Sequence, residues 1–394
     1  MKNKIKFILP LLVVAIILTN PFKVLAEREK AEKTEKTEIN GFINNFFDYR
    51  DKSKENNILT NQSKLYKNTL DIKDKEIGRI ESSLFEQIDN KKLERYFKNY
   101  VKLENIVASI SDIEEEILDI QTKKTVTYDN NNIYLNVERI KESIFTIQGT
   151  KFDEPSYESS KYTFVFDRKT NKLIDYIPTS AEEQVFLKSD MDKVIKEEAY
   201  KRIGDKQLIR KKEDIIHSNH NIETKAYRTY DFNRSNMVAY ANKHAKSYNP
   251  NYPNFENMGG DCTNFVSQVL RAGNAPFDTS GSYRWYYYNM NNRAPAWSGA
   301  KQLYNYLINN TYIGPQGKKA STNEIIYNMR PGDPVFIDFG YNNSIDHAVV
   351  ITSYNVGAPN LTRVAAHTND RVNYPLANYK GRLHYIRLTG YGKI

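Results

Sequence analysis

Apolar positions recur every three or four residues near the start of the chain and then at every second residue, which predicts helices followed by strands. Ile39, Phe42, Ile43, Phe46 and Phe47 share one side of a helix over Ile39 to Tyr49, and a second helical pattern runs from Asp74 to Tyr100 with a bend near Asp89-Asn90. Lys102 to Ile110, Ile117 to Tyr128, Ile133 to Ile147 and Tyr162 to Phe166 read as strands. Turns are expected at Asn130-Asn131-Asn132 and at Asp167-Arg168-Lys169-Thr170-Asn171. Residues 181–204 return to helical spacing. Arg210 to Lys225 is charged and aperiodic, so residues 206–226 are expected to link a small α+β domain, 27–205, to a second domain, 227–394.

In the second domain the helical pattern comes first again. Ser235 to Tyr248 is expected to be a helix stopped by Asn249-Pro250, and Cys262 to Ala272 carries Phe265, Val266, Val269 and Leu270 as a buried stripe. Arg330-Pro331-Gly332-Asp333-Pro334 is a turn into the strand Val335-Phe336-Ile337. Asp346 to Thr352 is a further strand, with Leu361 to Ala366 as its hairpin partner. The fold class predicted is α+β, with the second domain helical early and an antiparallel sheet late. The element order of the first domain resembles the cone-shaped fold of the nuclear transport factor 2-like group.

Residues 1–26 change the picture of where the chain works. Lys2, Lys4 and Lys6 precede an apolar run from Phe7 to Leu18, and Val24-Leu25-Ala26 offers small residues for cleavage. Export with cleavage after Ala26 is expected; an uncleaved anchor is the alternative. One cysteine excludes an internal disulfide, so a free thiol would stand outside the cell. The net charge is +9, and residues 227–394 hold 17 basic and 9 acidic side chains, or +8. Such a half suits anionic wall polymers or lipid headgroups, the alternative being simple solubility charge. Nucleic-acid binding is not expected, since no recognition motif accompanies the charge.

The candidate chemistry gathers at Gly259-Gly260-Asp261-Cys262. Asp261 is a natural N-cap and Gly273 a stop, which puts Cys262 in the first helical turn, where unpaired N–H groups and the helix dipole favour a thiolate and an oxyanion. The alternative is a small buried hydrophobe. A nucleophilic cysteine needs a base held by a third group. His217 and His220 lie in the linker, His244 in a helix and His384 in a late strand, each with an ordinary explanation; His347 opens a buried strand and needs a partner. A hairpin turn near Val356 to Asn360 sets His347 opposite about Thr368, with His367 and Asn369 expected on the same face as orienters. A zinc set of His347, His367 and Asp346 or Asp370 is the metal alternative, but it leaves Cys262 unexplained. The aromatic run Tyr283 to Trp297 reads equally as a substrate groove or as core.

These residues resemble a known family. Tyr230-Asp231 to Asn249-Pro250-Asn251-Tyr252, Gly259 to Gln268, Trp285, Trp297, Pro331-Gly332-Asp333, Asp346-His347 and His367-Thr368 are similar to the bacterial putative amidase domain, over about 228–388. That family belongs to the papain-like group with the NlpC/P60 and CHAP peptidoglycan hydrolases. The resemblance implies a papain-like fold, Cys262 as nucleophile and His347 as base. His367 is the favoured third member and Asn369 the runner-up, while Asp346 is expected to be structural. It implies no metal or cofactor. The expected function is a secreted cysteine amidase or peptidase acting on peptidoglycan peptides. A non-catalytic wall-binding protein and an acyl-transferring enzyme are the alternatives.

Overall fold

The computed structural model describes residues 37–52, 78–210, 229–280 and 283–393. The expected export signal and linker residues 211–226 lie outside them. Helix α1 (37–52) buries the aromatic side read from its spacing, with Phe46 edge-on to Phe97 and Phe164. Helices α2 (78–86) and α3 (Lys91–Ser111) part at the expected bend, where the Asn90 side chain accepts the N–H groups of Lys92 and Leu93. Helix α3 runs on through the segment expected as a strand, Lys102 to Ile110. Leu103 and Val107 prolong its buried stripe, but Glu104 is buried beside them, paired with Arg50 and Lys380, and this acid hides the helical period.

Strands β1 (Ile113–Tyr128), β2 (Asn132–Ile147), β3 (Ser156–Asp167) and β4 (Leu173–Pro178) follow, with both expected turns held by carboxylates. Asp129 accepts the N–H groups of Asn131 and Asn132, and Asp167 those of Lys169 and Thr170. The helix expected over 181–204 is two, α4 (Ala181–Lys188) and α5 (Met191–Arg210). They divide where Asp190 accepts the N–H groups of Asp192 and Lys193.

The later elements are α6 (Arg234–His244), α7 (Cys262–Ala272), α8 (Ala300–Asn309), β5 (Gly314–Lys319), β6 (Pro334–Asp338), β7 (His347–Ser353), β8 (Arg363–Ala366), β9 (Asp370–Pro375) and β10 (Arg382–Gly392). The architecture is α+β with one large antiparallel sheet. Among the described residues that sheet has 12 strands and contains the order β1-β2-β3-β9-β8-β7-β6-β10. Strand β3 is the joint. One of its edges pairs with β2, while the other takes β4 over Tyr162 to Phe166 and β9 over Tyr157 to Ser159.

The strands around the cysteine helix are therefore buried on both faces. Val335, Ile337, Val349, Ile351 and Val364 belong to the core that holds α1 and α3, whereas Phe336, Ala348, Val350 and Ala365 pack with α6, α7 and α8.

Candidate functional site around Cys262

Helix α7 forms as its spacing dictates, with Phe265, Val266, Val269 and Leu270 all buried. Both tryptophans back it as core. Trp285 donates to Ser267 Oγ (3.0 Å) and Trp297 to Asn264 Oδ1 (2.7 Å), so neither lines a groove. Of that aromatic run, Tyr283 and Tyr288 are exposed.

Cys262 opens α7 with 7% of its surface exposed. Its sulfur lies 3.7 Å from Thr263 Oγ1 and receives the Ala348 N–H from β7. The sequence favoured a thiolate here, yet burial pushes the thiol pKa up and outweighs the hydrogen bonds to the sulfur.

Gly259 and Gly260 hold φ of 103° and 111°, the left-handed region, and this turn aims the next N–H at a distant residue. Asp261 N–H donates to Thr368 Oγ1 (2.7 Å). A Cβ on Gly260 would meet that same oxygen at 3.3 Å. Asp261 does not cap α7 with its side chain. Its Oδ1 accepts from the Phe255 N–H (2.8 Å) and the Asn264 amide (2.9 Å), and its Oδ2 meets His367 Nδ1 at 2.5 Å.

His367 is buried between Phe265 and Tyr248, with ring centroids 4.3 and 4.0 Å away. Its Nε2 faces the His244 carbonyl at 2.7 Å, so both ring nitrogens meet oxygen. The β7–β8 ladder pairs Val350 with Ala365. Continued by two residues, that register sets His367 across from Ala348, whose N–H touches the Cys262 sulfur.

The same register sets His347 opposite Thr368, as the sequence reading expected, but it separates His347 from His367. Directly opposed residues share a face and their neighbours take the other. His347 turns away from α7 with Val349 and Ile351, its ring against Phe339 and Tyr379. Its Nδ1 has no hydrogen-bond partner, and burial followed by the Arg371 charge pushes its pKa down to about 3. Among the described residues no hydrogen bond joins the Cys262 sulfur to His347, whose ring lies on the other face, or to His367, whose nitrogens face Asp261 and His244. The two imidazoles of the zinc alternative do not converge either.

Asn369 faces β3, its amide donating to Glu158 Oε1 (3.2 Å). Asp346 Oδ2 accepts the Phe339 N–H (3.0 Å) and holds the β6–β7 turn. Asp370 receives the Tyr248 hydroxyl (2.8 Å), and burial raises its pKa to about 6. The sequence reading missed Asp261 as the partner of His367, the Tyr248 ring and the His244 carbonyl. The available signal was Asp261 itself, which was absorbed as a cap although its carboxylate is fully buried.

Residues 231–387 match the model of the family described as "Putative amidase domain". An uncharacterised Bacillus subtilis (strain 168) protein, YhbB, is 30% identical over 151 residues, which is 37% of this chain and 45% of that protein. A second from the same organism, the uncharacterised YjcM, is 31% identical over 147 residues, 35% of this chain and 31% of its own length. The chain spans less than half the length of these curated relatives. No solved structure matches it. The segment that holds the buried Cys262 is therefore an amidase-family domain, 231–387.

Proposed function

We propose that this domain hydrolyses amide bonds with Cys262 as nucleophile, His367 as general base and acid, and Asp261 as the group that holds the ring. The observation that carries the reading is the buried Asp261–His367 pair, with Asp261 next to the cysteine in sequence and the His367 ring stacked on Phe265 of α7. With Nδ1–H donating to Asp261 Oδ2, Nε2 keeps a lone pair that the His244 carbonyl oxygen cannot partner; the ring turns from that oxygen, and Nε2 takes the Cys262 proton as the sulfur attacks the carbonyl carbon. The oxyanion meets the N–H groups at the head of α7. The C–N bond breaks, the amine leaves with the proton, and water then hydrolyses the thioester. A thiol pKa raised by burial suits this order of events, since the proton then leaves as the S–C bond forms.

The substrate we propose is a peptide amide of peptidoglycan, reached outside the cell, because the N-terminal segment reads as an export signal and the cysteine half is basic. The resemblance assigns the base to His347 instead, and one experiment separates the two. Peptidoglycan fragments are incubated with the exported protein and weighed by mass spectrometry. Gain of one water across an amide, lost in Cys262→Ala and His367→Ala but kept in His347→Phe, is the expected result. Loss in His347→Phe alone moves the base to His347. Amine-bearing products indicate acyl transfer, and unchanged fragments with retained binding indicate a wall-binding protein.

A further inference from the structure

The segment His367 to Asp370 is held from two sides, and one of them is the first domain. Strand β9 lies against β3, with Asp370 across from Ser159 and Arg371 across from Glu158. Glu158 Oε1 accepts from the Asn369 amide (3.2 Å) and from Arg371 Nε (3.0 Å) and its terminal nitrogen (2.6 Å). Thr368 and Asn369 stand at φ of 61° and 74°. For β-branched Thr368 that backbone is strained and persists where surrounding contacts over-determine it. The contacts are the Asp261 N–H on Thr368 and Glu158 on Asn369, one at each residue of the turn.

A second line from the first domain reaches the ring itself. Lys161 Nζ on β3 bonds Glu256 Oε2 (2.9 Å), and Glu256 Oε1 meets the Tyr248 hydroxyl (3.1 Å), which also meets Asp370 (2.8 Å). The Tyr248 ring lies flat on His367. Contacts that merely joined two domains would have no reason to converge on the two flanks of one imidazole.

We infer that β3 of the first domain aims His367, with Glu158 and Lys161 as positioning residues for the proposed site. The inference rests on the hydrolase reading for what the ring does, and on the geometry alone for how the ring is held. The short bond between His367 Nδ1 and Asp261 gives a direct readout in the intact protein, because a proton in such a bond resonates far downfield and its exchange with water measures local opening. His367→Asn assigns the signal by removing it. Glu158→Ala is expected to speed that exchange by about tenfold or more, corresponding to roughly 1.4 kcal/mol of lost local stability. Glu158→Asp should restore part of the protection, and Lys161→Met should show a smaller effect. If Glu158→Ala fails to fold, Asn369→Ala and Lys161→Met carry the same test. A folded variant set with unchanged shift and exchange overturns the inference. Absence of amide hydrolysis in the wild type, with the exchange effects present, fails the hydrolase reading but leaves the positioning geometry standing.

Discussion

On one face of the β7–β8 hairpin, His367 has an oxygen partner for each ring nitrogen and an aromatic ring on either side. On the other face, His347 has two aromatic neighbours and a buried Nδ1 with no partner. His347 opens β7 and His367 follows the last residue of β8, so the two rings start from neighbouring stretches of backbone. Their surroundings differ. Asp261 in hydrogen-bond contact fixes the orientation of the His367 ring, whereas burial, followed by the Arg371 charge, pushes the pKa of His347 down. The proposed chemistry is placed on the α7 face because a carboxylate orients its ring there.

The comparison breaks most sharply in turnover. His367→Ala should lower amide hydrolysis by roughly a hundredfold to ten-thousandfold, the usual worth of a general acid–base group, while His347→Phe should stay near wild type. Steady-state hydrolysis of peptidoglycan fragments decides this, and the reverse pattern would make the sheltered face the active one.

Acid stability is the next test. The pKa of His347 is lowered from 6.5 to about 3 on folding, so between those values the unfolded chain takes up a proton that the folded protein refuses. Stability is complete above 6.5 and is lost as pH falls through this window. His347→Phe should flatten that part of a urea-denaturation profile and add about 1 kcal/mol at neutral pH by removing an unpaired buried polar atom. A variant with the same acid slope as wild type would show that His347 is not the group responsible.

Alkylation of Cys262 by iodoacetamide should have a midpoint above that of an ordinary thiol, about 8.5, because burial dominates its surroundings. A midpoint well below that value would show a preformed thiolate and an imidazole already paired with it. The smallest effect is expected at Asp370, whose pKa is raised from 3.8 to about 6. Its contribution is full below 3.8 and is lost as pH rises through about 6, opposite in sign to that of His347. Asp370→Asn keeps an acceptor for Tyr248 and should raise the melting temperature slightly at pH 7 but not at pH 4.

These contrasts also show what a sequence can carry. Helix α7 and its cysteine were legible because stripe, stop and glycines lie within fifteen contiguous residues. The hairpin register was legible too, since turn position fixes which residues oppose. The face of His367 was misread because side-chain direction flips with every residue, so a correct pairing yields a wrong neighbour if flanking positions are taken for opposed ones. Asp261 and His367 are 106 residues apart in sequence, and β3 and β9 more than 200. No local period announces either meeting. Glu104 misled for the converse reason, since a buried charge satisfied by distant cations looks locally like a solvent position.

One consequence of the β3 joint concerns the matched segment taken alone. Without residues 156–159, β9 would present its ladder N–H and C=O groups to solvent, flanked by strands already buried on their other edges. Such an exposed edge is a template for pairing with another chain. A protein cut down to residues 229–393 is therefore expected to aggregate where the whole chain stays monodisperse, and β3 would then serve as the guard strand that keeps this sheet from recruiting its own copies.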